Sequence, residues 1–205
     1  MKITGDKTAE RTGKALRNVI KGPQVFTLTP SNHSWPQQLE ARLDHDAPSR
    51  LWCIGNVDIL TQPCVGLFCS VRCPGSAIIA AHDAASKLRE DGTTVVSGFQ
   101  SPVEKECLRI LLGGHQPVVI CLARALAKIR LPADWRKALD TGRLLILSPF
   151  EKRPSRPTVD SARQRNRLVA ALSDEVLVIH AERGGNIERI SELVDRWGIP
   201  QRSLM

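Results

Sequence analysis

The sequence contains no tyrosine and only four tryptophans and four phenylalanines. An extended platform of rings for stacking nucleobases, worth roughly 1–3 kcal/mol per base, is therefore excluded. Any polyanion must be held chiefly through its phosphates, which implies little sequence preference and a steep dependence on salt. Phe99 and Phe150 are the only rings placed near candidate ligand-facing segments. No run of roughly 18 apolar residues occurs, which excludes a transmembrane helix of ordinary length. The start, Met1-Lys-Ile-Thr-Gly-Asp6, lacks the apolar stretch of a secretory signal, so a cytoplasmic location is expected. There is no Gly-x-Ser-x-Gly elbow for a hydrolase triad. His33, His45, His82, His115 and His180 show no i,i+4 pairing of the metal-binding kind.

What is present describes an ordinary globular chain. Its 205 residues, 42% hydrophobic, suffice for one substantial core. The six cysteines lie mostly in apolar segments, where a reduced thiol acts as a small hydrophobe. Cys64, Cys69 and Cys73 have no second ligand pair at zinc-site spacing, so free thiols are expected and no metal. The 29 Lys and Arg outweigh 21 Asp and Glu, a formal charge of +8 that favours polyanionic partners without naming one.

The chain divides into two stretches. Residues 1–32 form a basic N-terminal extension in which Lys7, Arg11, Lys14, Arg17 and Lys21 recur at helical spacing. From residue 33 to 205 one domain is expected, polar and turn-rich up to residue 50. Beyond that, apolar runs at 51–54, 65–69, 94–97, 118–122, 144–147 and 176–179 alternate with amphipathic segments at 76–90, 103–112, 133–140, 161–172 and 187–197. Such alternation predicts an α/β fold, a doubly wound and mostly parallel sheet with helices on both faces. Ligands of such sheets bind beyond the carboxyl ends of the strands.

Three segments following strands stand out. In Ser70-Val-Arg-Cys-Pro-Gly-Ser76, helix-start N–H groups and Arg72 could face an anion. Ser97 and Gly98 offer close approach of a ligand, and Pro102 suits the first turn of the next helix. Arg163-Gln-Arg-Asn-Arg167, then a strand and Gly184-Gly-Asn186, reads as a phosphate-binding corner. Three arginines in five residues cannot all face a core.

Taken in order, Trp35-Pro-x-x-Leu39, Leu51-Trp-Cys-Ile-Gly-Asn56, Ser70-Val-Arg72, Thr94-Val-Val-Ser-Gly98, Gly142-Arg-Leu-Leu-Ile-Leu-Ser-Pro149 and Arg165-Asn-Arg-Leu-Val-Ala-Ala-Leu-Ser-Asp174 resemble the DprA/Smf family of DNA-processing proteins. The resemblance implies a Rossmann-like fold that binds single-stranded DNA, hands it to a RecA-type recombinase and works as a homodimer. It implies no covalent chemistry and no cofactor. Carried onto this chain, the binding residues would be Ser70, Arg72, Ser97, Gly98, Arg165, Asn166, Arg167, Gly184 and Gly185, with Phe99, Arg124 and Asn186 beside them. The sequence departs from the family in the loop Cys69-Ser-Val-Arg72, where the leading glycine is absent and the arginine is displaced by one. Arg124 stands where it could compensate. A second reading is a nucleotide-binding or N-glycoside-cleaving enzyme, or a nucleotide sensor, of the wider superfamily. Its Pro-Gly-Gly-x-Gly-Thr-x-x-Glu loop is only partly matched by Glu182-Arg-Gly-Gly-Asn-Ile-Glu188, in which Glu188 also fits as a helix N-terminal charge.

Overall fold

The computed structural model describes residues 24–127 and 129–205. The basic helix expected in residues 1–30 lies, up to residue 23, outside the described residues. The described chain runs β1 (Phe26–Leu28), α1 (Gln38–Leu43), β2 (Leu51–Gly55), β3 (Cys64–Cys69), α2 (Gly75–Glu90), β4 (Thr94–Ser97), α3 (Pro102–Leu112), β5 (Val118–Cys121), α4 (Ala133–Asp140), β6 (Leu144–Ser148), α5 (Val159–Leu172), β7 (Glu175–His180), α6 (Asn186–Arg196) and β8 (Gln201–Ser203). The strands form one sheet in the order β1-β2-β6-β5-β4-β3-β7-β8. The strands β3 to β8 are mutually parallel, with β2 antiparallel to β6 and β1 antiparallel to β2.

The central strands are apolar on both sides because both faces of the sheet are covered. On one face Val96, Val119, Leu147 and Val178 pack beneath α1, α5 and α6. On the other, Leu67, Val95, Ile120 and Ile146 meet the small residues Ala77, Ala81 and Ala85 of α2, together with α3 and α4. The doubly wound architecture read from the sequence is thus the one observed.

Three elements escape the sequence pattern. The strands β1 and β8 are three residues long, too short to alternate legibly, and β1 extends the sheet upstream of the boundary expected at residue 33. The stretch 31–50, read as turns, contains α1, whose Leu39 and Leu43 are buried one turn apart beside Trp35. Arg42 of this helix donates to the carbonyls of Ala171 and Ser173, at 2.9 and 2.7 Å, so α1 caps the end of α5. Asp174 then clasps Cys64 through both its amide and its carboxylate, fixing the start of β3 beside β7.

Five of the six cysteines are buried and all are free. Burial pushes the thiols of Cys53, Cys64 and Cys107 up to about 12, and raises those of Cys69 and Cys121 as well. Since unfolded thiols ionise near pH 8.5, the folded chain favours their neutral form. This contribution to stability is complete below about pH 8.5 and is lost as pH rises through about 12. A thiol reagent at about pH 8 should label Cys73 in the native chain and the other cysteines only on unfolding.

Gly55 has a φ of +106°, and a Cβ there would lie 2.2 Å from the carbonyl oxygen of Leu144. Gly55→Ala should therefore destabilise the fold by about 3 kcal/mol, read as a lower denaturation midpoint with an unchanged slope.

Candidate functional site

The parallel strands end along one edge of the sheet. After β3 the chain passes through α2 to β4 on one side; after β7 it passes through α6 to β8 on the other. Neighbouring connections diverge at this point, which opens a crevice between the ends of β3 and β7. A cavity of about 400 Å³ occupies it, with Cys69, Ser70, Arg165, Asn166, Gly185 and Asn186 in its wall.

The wall is assembled by hydrogen bonds from adjacent loops. Ser70 donates its amide to the carbonyl of His180 at 2.9 Å, and its hydroxyl accepts from the amide of Glu182 at 2.9 Å. This ties the β3 loop to the β7 loop. Across the crevice, Ser101 and Glu104 form a capping box at the start of α3. The Glu104 carboxylate is buried and accepts the amides of Cys69, Gln100 and Ser101, at 3.0, 2.7 and 3.0 Å. One side chain thereby fixes the ends of β3 and β4 relative to each other.

Arg165 lies against this carboxylate-stapled edge. Its side chain is 4% exposed, and Nε and Nη1 are buried without a hydrogen-bond partner. Among the described residues it makes no ion pair. Burial lowers its pKa below the usual arginine value, and the charge of Glu104 opposes that shift. A cation buried without partners is costly, and a phosphate oxygen would relieve it through charge-assisted hydrogen bonds. The guanidinium covers Gly98 so closely that a Cβ there would fall 1.1 Å from Nη1. Gly98 is thus a seat for Arg165, not a surface for the ligand as expected.

The remaining wall is the start of α6. Gly184, with a φ of +71°, turns the chain so that Gly185 precedes the helix, and no side chain caps it. First-turn N–H groups of such a helix remain free for an anion. Glu188 accepts the amide of Gly184 at 2.6 Å, so its carboxylate holds the turn. Arg163 and Arg189 add charge at the cavity, and Val71 and Val159, at 73% and 68% exposure, present apolar side chains at its rim.

The structure brings Ser70, Arg165, Asn166, Gly184, Gly185 and Asn186 together and separates the other expected residues. Arg167 points to a different hollow and pairs with Asp46 at 2.7 Å. Ser97 is fully buried, and its hydroxyl donates to the carbonyl of Leu67 at 2.7 Å. Phe99 belongs to the core beneath α2 and α3, which removes it as a stacking ring. Arg72 is exposed on the α2 side, outside the cavity wall, and Arg124 sits half-buried beyond the end of β5. Arg165 and Asn166 are buried while Arg163 is exposed and Arg167 half-buried, so the three arginines do not all face the core. The sequence pattern did not single out Glu104, whose bonds to three amides appear only in the folded chain. Among the described residues no three His, Cys, Asp or Glu side chains converge to hold a metal.

The model of the DNA recombination-mediator protein A family matches residues 26–191. The chain belongs to that family. Two solved members share its fold. DNA processing protein A of Streptococcus pneumoniae superposes with a TM-score of 0.73 at 20% identity, covering 88% of this chain and 62% of that one. The Helicobacter pylori protein, studied for its single-stranded DNA binding mode, gives 0.71 at 24% identity, covering 88% and 80%. The chain thus spans less than two thirds of the pneumococcal protein. No curated protein matches the sequence significantly. Among the described residues of this family member, no helix is long and apolar enough to cross a membrane.

A Gly98→Ala substitution must displace the guanidinium of Arg165. It should cost about 1–3 kcal/mol in wild-type background and much less beside Arg165→Met. A double-mutant cycle by chemical denaturation checks this, with a coupling of at least about 1 kcal/mol expected.

Proposed function

We propose that this family member binds single-stranded DNA at the β3–β7 crevice, with a backbone phosphate on Arg165 and the first turn of α6. The observation that carries this reading is the buried guanidinium with two unpartnered nitrogens in the wall of an open cavity. Membership of the family and the shared fold support it, as does the net charge of +8. The rim is apolar where rings are missing, so phosphate contacts dominate and sequence preference is weak. A RecA-type recombinase as recipient of the strand, a homodimer as the working form and a cytoplasmic location belong to the same reading.

A second reading, a single free nucleotide, is favoured by the cavity itself, whose volume of about 400 Å³ is that of a small-ligand site. Fluorescence anisotropy with a labelled oligothymidylate across a salt series, with free nucleotides as competitors, separates the two. Strand binding that falls steeply with salt and resists competition is the expected result. Arg165→Met keeps an apolar chain of similar length, and the Glu104 carboxylate it leaves behind is still held by three amides, so the variant should fold with only a modest loss of stability. It should also weaken binding about tenfold or more. Undiminished binding by this variant, or binding of a free nucleotide alone, contradicts the proposal.

A further inference from the structure

The connection between β6 and α5 holds a second cationic feature that the sequence motifs do not include. Lys152, Arg153 and Arg156 are all exposed. Among the described residues Arg153 and Arg156 make no ion pair, and Lys152 meets only its neighbour Glu151, at 3.8 Å. The next acid along the chain, Asp160, faces Arg163 at 3.6 Å. Exposed charge runs usually form a solvated face, but this one is concave and anchored. Its residues border an open hollow of about 650 Å³. The amide of Ala125 donates to the carbonyl of Pro154 at 2.9 Å, and the hydroxyl of Ser148 to the carbonyl of Arg124 at 2.8 Å. These bonds bind the loop to the β5–α4 connection and bring Arg124 into the same corner.

The position relative to the crevice is decisive. Thr158 lines the hollow and Val159, the next residue, lines the cavity. The two depressions are therefore lined by consecutive residues at the start of α5, and Val159 there is 68% exposed. We propose that this corner is a second contact for single-stranded nucleic acid, gripping backbone phosphates of a strand that leaves the cavity past Val159. The inference rests on the strand-binding reading above. Flexible exposed cations suit phosphates met without a fixed register, whereas the buried Arg165 fixes one phosphate in place.

The test is a triple variant, Lys152→Ala, Arg153→Ala and Arg156→Ala, checked by circular dichroism and thermal melting for an intact fold. Its binding is measured with oligothymidylates of about 4 and about 20 nucleotides. The longer strand should bind about tenfold or more weakly than to the parent, and the slope of log affinity against log salt should fall by about 2. The shorter strand should lose little. If the parent binds and the variant binds the longer strand with equal affinity and slope, this proposal alone is overturned. Equal losses for both lengths would also overturn it, by assigning the loop to the cavity itself. If the parent binds neither strand, the strand-binding reading fails and this one with it.

Discussion

The buried carboxylate of Glu104 is the constraint on which the carboxyl edge of the sheet depends. Three amides, one from the end of β3 and two from the β4–α3 connection, converge on it, and those of Cys69 and Ser101 would otherwise be buried donors without a partner. A carboxylate satisfied this way is held rigidly and leaves its charge available to the one buried cation nearby. Arg165 is retained in the interior on that account. The glycine at position 98 is then required by shape, because the guanidinium occupies the space of a side chain. The crevice is thus organised from within the protein before any ligand arrives.

The charge distribution follows a related logic. Cations that are exposed and paired, such as Arg167 with Asp46, contribute little to stability and lie on other surfaces. Around the strand ends, Arg165 is buried without a hydrogen-bond partner and Arg153 and Arg156 are exposed without an ion pair among the described residues, whereas Arg163 faces Asp160 and Lys152 faces Glu151. In the reading proposed above, an edge of that kind would attract polyanions and, with so few rings, hold them by phosphate rather than by base. In that reading the cavity and the β6–α5 corner would meet phosphate differently: one by a buried guanidinium, the other by exposed side chains on an anchored loop.

The central strands and the five longer helices were legible in the sequence because their apolar periods are unmistakable. The start of α3 was legible too, since Pro102 marks a first helical turn, but the capping box of Ser101 and Glu104 emerged only from the structure. Helix α1 was not, because six residues between prolines carry only one apolar pair, Leu39 and Leu43. The edge strands β1 and β8 were hidden by their length of three residues.

For the site, the sequence by itself determined the type of fold, the edge of the sheet where the parallel strands end and the arginine-rich first half of α5. These follow from local periodicity and from the rule that parallel sheets open at their carboxyl ends. Only the tertiary structure decided which arginine turns inward, that Gly98 is a seat for it, that Phe99 belongs to the core, and that the loop of Lys152 to Arg156 borders a hollow of its own. Residues 98, 104 and 165 are brought together by strand order, and adjacency across a sheet leaves no trace in the local spacing of residues.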